Sequence, residues 1–218
     1  SWHKYGDVVE EFIAEPFQAR AILDAFGFRH TELHLNEWHY FRNAWWSAVR
    51  NDPETKRYWL TTSEGVQGID AGAFNTTVLT RWQDTPLTLS NYYGTGLQTW
   101  GVCDAYGALN KNYYSLLAFG NMLSFTERVA ATTNSETVSI LAGHDGKGRG
   151  ALLITDFKGK ESTLELEIKG VEGISEIKGF LTDDKKNFAE IPVFAEGNHI
   201  TLKKEPGSAI FLITFKLG

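Results

Sequence analysis

The hydrophobic pattern of this 218-residue chain changes its period near Thr126, and that change limits the fold more than any one motif does. Before it, helical and strand patterns alternate. Pro16 suits a first helical position and Gly27 a C-terminal cap, and Ala19, Ile22, Leu23 and Phe26 share one face, which predicts a helix over 16–26. Leu33 and Leu35 alternate with polar residues as a short strand ending at Glu37. A second helix is expected over 66–82, where the small residues Ala71, Gly72 and Ala73 allow close approach to a sheet; Thr85-Pro86 ends it. A strand over 87–93 and a helix over 112–125, with Tyr113, Leu116, Leu117 and Leu123 on its buried stripe, complete an α/β order.

After Thr126 the apolar residues fall into short runs at 138–144, 150–157, 163–168, 174–181, 188–194, 199–202 and 209–215, separated by pairs such as Asp145-Gly146 and Pro206-Gly207. Leu164, Leu166 and Ile168 alternate with Glu165, Glu167 and Lys169, the mark of a strand with one dry face and one wet face. The expected architecture is therefore α/β over 1–126 followed by an antiparallel β-sandwich of about eight strands over 127–218.

Composition removes several function classes. A net charge of -6, with no basic run interleaved with aromatics, argues against nucleic acid as a partner. No apolar run approaches the length that spans a bilayer, so no membrane partner is expected either. Cys103 is the single cysteine, so an internal disulfide is excluded and the redox compartment stays open. No cluster of ligand-type residues calls for a metal, and no cofactor is expected. All seven tryptophans lie between Trp2 and Trp100, which points to the first region as the seat of chemistry and to the second as support.

The stretch Thr31-Glu32-Leu33-His34-Leu35-Asn36-Glu37-Trp38 delivers a carboxylate between an amide and an indole. Two readings are open on the residues alone: a functional acid at the end of a barrel-type strand, or an ordinary surface acid capping the next segment. Residues 39–64 follow with Tyr40, Phe41, Trp45, Trp46, Tyr58 and Trp59 among polar residues and no clean period. Such a segment after a candidate acid commonly forms a pocket wall, with Trp45 or Trp46 facing a ligand; the alternative is that these rings pack on the body of the protein.

Three motifs in register carry a resemblance. Ser1-Trp2-His3-Lys4-Tyr5-Gly6 is similar to the His-x-Tyr that ends the sixth strand in clan A glycoside hydrolase barrels. Thr31 to Trp38 resembles the seventh-strand motif, and Gln98-Thr99-Trp100-Gly101 through Asp104 resembles the eighth-strand loop, followed by a helix entry at Lys111-Asn112-Tyr113-Tyr114. The chain looks most like family 39, the β-xylosidase and α-L-iduronidase family, although Asn36-Glu37-Trp38-His39 departs from the family's usual Thr-Glu-Trp-Asn. Asn36 is similar to the Asn-Glu pair that carries the acid/base on the fourth strand.

The resemblance implies a partial (β/α)8 TIM barrel, strands six to eight, with an accessory β-sandwich, and a retaining glycosidase acting on β-xyloside-like or related glycosides. It implies Glu37 as nucleophile, Tyr5 as its hydrogen-bond donor, His3 and Asn36 as sugar contacts and Trp100 as the platform beneath the ring. A complete barrel takes about 250 residues, and 126 precede the β region here. The acid/base is thus expected upstream of Ser1, the isolated chain is expected to be inactive, and an open barrel edge is expected either to self-associate or to be buried in large part by the sandwich. A polysaccharide substrate would suit an extracytoplasmic enzyme, although the sequence itself leaves localisation open. Two other classes stand beside this one: a non-catalytic carbohydrate-binding module, and a structural domain with its tryptophans buried.

Overall fold

The computed structural model describes the backbone of residues 2–5 and both backbone and side chains of 8–41, 51–96 and 100–218. The chain divides into two compact units, Ser1–Tyr113 and Tyr114–Gly218.

The first unit is built on three parallel strands in the order β1 (Trp2–Tyr5), β2 (His34–Phe41), β3 (Leu89–Tyr92). Helix α1 (Val9–Ala25) lies between β1 and β2 in the chain, and helices α2 (Pro53–Thr61) and α3 (Ile69–Trp82) between β2 and β3. Parallel neighbours need such crossovers, because a tight turn cannot bring the chain back in the same direction.

Helix α1 starts seven residues before Pro16 rather than at it, and the proline sits inside the helix. Phe12, Ile13 and Pro16 form one buried face, so packing of the upstream turn outweighs the hydrogen bond that the proline nitrogen cannot donate. The expected end is found. Gly27 takes φ 83°, its N–H reaches the Asp24 carbonyl at 3.0 Å and the Phe28 N–H reaches that of Leu23 at 2.8 Å, a Schellman closure. Arg20 then ties the turn down by donating to the carbonyls of Phe28 and Thr31 and, at 2.9 Å, to Asp24.

Helix α2 lies in the stretch that lacks a clean period, and its cap explains it. Asp52 accepts from the N–H groups of Glu54 and Thr55, with Pro53 at the first helical position. Hydrogen bonds from Thr55 hold the Asp52 carboxyl below its ordinary value. Helix α3 begins three residues later than expected and is buried along almost its whole length. Its small residues permit a close approach, but to the chain at Lys111: a Cβ on Gly72 would stand 2.9 Å from the Lys111 carbonyl oxygen.

Helix α4 (Lys111–Asn121) spans the division between the units, and a 3-10 turn at Met122–Ser124 follows it. The second unit is otherwise all β. A six-stranded sheet runs in the order β4 (Glu127–Val129), β5 (Val138–His144), β6 (Arg149–Gly159), β12 (Gly207–Leu217), β8 (Ile174–Thr182), β9 (Ala189–Ile191). A three-stranded sheet runs β10 (Phe194–Glu196), β11 (His199–Lys203), β7 (Thr163–Glu167), and every pairing in both sheets is antiparallel.

The two sheets share one core. Ile154, Leu181, Phe211, Ile213 and Phe215 from the larger sheet meet Ile200 and Leu202 from the smaller, with Leu164 and Leu166 packed alongside. The alternation along β7 holds, leucines inward and glutamates outward. The single run expected over 188–194 is two strands in different sheets, because Pro192 has no N–H to continue a ladder. Strand β4, exposed at every residue, carries no alternation that could announce it.

One charged pair is sealed within this unit. Lys204, just past β11, places Nζ 2.9 Å from Oδ2 of Asp156 on β6, and both side chains are almost wholly inaccessible. The ammonium also donates to the carbonyls of Gly159, Glu205 and Gly207. Neither Asp156 oxygen takes a directional hydrogen bond, so the lysine is the charge compensation for that carboxylate.

Candidate active site

Strand β2 separates two aromatic faces. On one, Trp38 and Tyr40 meet the helices: Trp38 packs edge-on to Trp82 at 5.0 Å and near Phe12 at 6.4 Å, and Tyr40 lies 5.1 Å from Phe74. The other face, reached by strand alternation, carries His39 and Phe41. Phe41 stacks on Trp100 at 5.5 Å with planes 25° apart and meets Trp59 edge-on at 4.8 Å, while Trp59 and Trp100 close the triangle at 5.1 Å. Val66 and Leu60 pack against this cluster.

Glu37 stands at an irregularity in the strand. Leu35 pairs with Ser90 and Trp38 with Tyr92, so β2 spends one residue more than β3 between those partners, a bulge spanning Asn36 and Glu37. Bulges re-aim side chains and are frequent beside functional sites. Asn36 is exposed and Glu37 half-buried. The strand does not end at Glu37 as its pattern suggests: it continues through Trp38–Phe41, paired with β1, because those four residues are buried on both faces and show no alternation.

Register sets the remaining expected residues. His3 pairs with His39 and Tyr5 with Phe41 along the parallel β1–β2 ladder, which brings both into line with the aromatic face at the backbone level. Trp100 is half-buried, its indole stacked on Phe41 as described. Trp45 and Trp46 lie outside the described residues, as do Gln98 and Thr99 of the eighth-strand motif.

A buried polar chain that sequence reasoning missed runs behind this face. Nδ1 of His39 lies 2.7 Å from the Tyr40 carbonyl, and Nε2 lies 2.8 Å from the Tyr92 hydroxyl and 3.2 Å from the Trp100 carbonyl. Asn75 on α3 hydrogen-bonds Tyr92 and donates to Asn112 at 3.0 Å, and Asn112 donates to the Val66 carbonyl at 2.8 Å. Burial pushes the Tyr92 phenol well above its ordinary value, with the Asn75 hydrogen bond opposing it. His39 beside the candidate acid was visible as a motif departure; the Asn75–Asn112 contact joins residues far apart in the chain and has no local signal.

The loop after β3 is held as firmly. The Tyr93 N–H donates to the Trp38 carbonyl and the Gly94 N–H to that of Trp100 at 3.2 Å. Asp104 then accepts from the N–H groups of Tyr106 and Ala108, Cys103 bridges Leu109, and Asn110 donates to the Gly101 carbonyl. This small hairpin presents Tyr106 at its tip, 97% exposed. Among the described residues no group of three His, Cys, Asp or Glu side chains could hold a metal ion.

Comparison with solved structures finds glycoside hydrolases with a similar fold. A glucosidase from Croceicoccus marinus matches over 99% of this chain with a TM-score of 0.72 at 18% identity. A family 30 endoxylanase from Clostridium papyrosolvens C71 matches over 98% with a TM-score of 0.59 at 15% identity. A family 39 glycoside hydrolase from the gut symbiont Bacteroides cellulosilyticus WH2 matches over 91% with a TM-score of 0.52 at 11% identity. At these identities the likeness is one of fold, shared with glycoside hydrolases. The chain spans about half the length of these structures, covering 52%, 47% and 37% of them respectively. No protein-family profile matches the chain, and no curated protein matches it by sequence.

Proposed function

We propose that this chain is part of a retaining glycoside hydrolase acting on β-xyloside-like or related glycosides, with Glu37 as nucleophile. Residues 1–126 would be strands six to eight of a (β/α)8 barrel and their helices, and 127–218 an accessory β-sandwich. The observation that carries this reading is the match of nearly the whole chain to about half of a glucosidase, with a half-buried glutamate at a bulge of the strand that also carries Phe41. Family 39 remains the finer assignment, supported by the three motifs in register.

Retention requires two carboxyl groups about 5–5.5 Å apart, one attacking the anomeric carbon and one protonating the leaving oxygen and then activating water. In this reading Glu37 attacks, His3, Tyr5 and Asn36 contact sugar hydroxyls, and Trp100 stacks beneath the ring; the register that sets Tyr5 level with Phe41 keeps it away from Glu37. The acid/base would come from polypeptide beyond these residues. The test is hydrolysis of an aryl xyloside by a longer natural form: Glu37→Gln should abolish turnover while leaving xylobiose binding in place. The 218-residue chain alone should be inactive, and Glu37-dependent turnover by it would overturn the missing-acid reading. Trp100, half-buried at the edge of the Phe41–Trp59 core, also leaves a second reading, a non-catalytic carbohydrate-binding module. In that case no longer form is active and Glu37→Gln weakens sugar binding modestly.

A further inference from the structure

We infer that His39 is a positioning residue: a neutral imidazole with its proton on Nδ1, which accepts a hydrogen bond from the Tyr92 hydroxyl on Nε2 and forms the seat against which Trp100 is held. The inference rests on the proposed function only where it gives Trp100 the role of sugar platform; the seat itself stands on contacts within the first unit.

The protonation state follows by tracing donors from one fixed point. The Val66 carbonyl can only accept, so the Asn112 amide must point its Nδ2 there and its Oδ1 toward Asn75. Asn75 therefore presents its amide N–H groups to Asn112. Oδ1 of Asn75 takes no partner among the described residues, so its hydrogen bond with Tyr92 is also made by the amide N–H, as donor to the phenol oxygen. The Tyr92 hydrogen is then directed at His39 Nε2, 2.8 Å away. At the other side of the ring Nδ1 faces a main-chain carbonyl, again an acceptor only, at 2.7 Å. Each group along Val66, Asn112, Asn75, Tyr92, His39 and Tyr40 thus gives its hydrogen in a compatible sense.

The competing state is an imidazolium, which would direct an Nε2 proton at the Trp100 carbonyl. Two magnitudes go against it. That contact, at 3.2 Å, is longer than those to Tyr92 and to the Tyr40 carbonyl, and the Trp100 carbonyl already accepts the Gly94 N–H. The ring is also wholly buried, where an added charge is costly. Trp100 is held from two directions: its indole packs edge-on to the imidazole at 5.1 Å, and its carbonyl closes the loop onto Gly94 at the ring's edge. His39 is thus placed to transmit the position of β3, through Tyr92, to Trp100.

The experiment uses the 218-residue chain labelled with 15N-histidine and 5-fluorotryptophan. A two-bond proton–nitrogen correlation near neutral pH should show His39 with a protonated Nδ1 and a pyridine-type Nε2, assigned by His39→Gln. Tyr92→Phe keeps the ring but removes the proton donor. It should shift the Nε2 resonance, move the Trp100 fluorine resonance assigned by Trp100→Phe, and weaken xylobiose binding about threefold to tenfold, the loss of one hydrogen bond. A doubly protonated His39, a proton on Nε2, or a Trp100 resonance indifferent to Tyr92→Phe would overturn the inference. If xylobiose leaves the wild-type Trp100 resonance unmoved while the nitrogen and Tyr92→Phe results hold, the seat stands and the sugar-platform reading fails. Should His39→Gln not fold, the Tyr92→Phe arm still decides.

Discussion

The two units solve the burial problem in opposite ways. In the second, two antiparallel sheets close on one shared core, and its sealed charge is matched by an opposite one. In the first, α1 is apolar on two sides. Phe12, Ile13 and Pro16 are buried, yet Phe17, Ile22, Phe26 and Phe28 at and beyond its C-terminal half are exposed, Ile22 at 61% and Phe26 at 77%. The contrast teaches that two antiparallel sheets cover their apolar faces with each other, whereas the α/β unit leaves apolar residues of α1 and the turn after it open to solvent.

The sharpest way to break the first half of that contrast is Lys204→Met, which leaves the Asp156 carboxylate buried without compensation. It should cost about 3–5 kcal/mol, read as loss of hydrogen-exchange protection in β6 and β12. Adding Asp156→Leu should return most of it, and a double variant as unstable as the single one would mean that the pair does not act as a unit. In the first unit Phe12→Leu should cost about 2 kcal/mol, because the ring touches Trp38, Phe74 and Trp82. Tryptophan fluorescence follows that unit's unfolding, since all seven tryptophans lie within it.

A smaller effect is expected where α1 meets α3. Arg81 donates to both carboxylate oxygens of Glu10 and holds its pKa below the ordinary 4.5. A depressed carboxylate pKa stabilises the fold above the unfolded value, and the stabilisation disappears as the pH falls through the folded one. Glu10→Gln should therefore lower stability by less than about 1 kcal/mol near neutral pH, given the pair's exposure, and have no effect in acid. Least of all should be paid for Phe17→Glu with Ile22→Glu, within about 0.5 kcal/mol. Those changes should nevertheless abolish hydrophobic-dye binding and any self-association of the chain. Unchanged dye binding would show that the outer face of α1 is not the sticky surface.

Local chemistry made much of this legible. Gly27 announced the end of α1, Leu164 and Leu166 the dry face of β7, and the period change near Thr126 the passage from parallel to antiparallel structure. What failed was decided by burial or by distant partners. Pro16 suits a helix start equally well, and only the packing of Phe12 and Ile13 moves that start upstream. The residues after Glu37 are buried on both faces, so the strand's alternation stops before the strand does. Of the candidate site, Glu37 and Trp100 could be named from motifs. The bulge at Asn36–Glu37 is a mismatch with β3 and exists only once that partner is in place. His39, Tyr92, Asn75 and Asn112 are assembled from β2, β3, α3 and the entry to α4, beyond the reach of any local pattern.

The carbonyl cage around Lys204 gives the second unit a kinetic marker of its own. An ammonium whose three N–H groups go to main-chain oxygens, with a carboxylate beside it as counter-charge, has no lone pair to offer an acylating reagent. Exposed lysines such as Lys169 and Lys216 react at once, whereas Lys204 must wait for β6 and β12 to part from β11. Its rate of acetylation, followed by peptide mass, would thus time the opening of the two sheets without any engineered label.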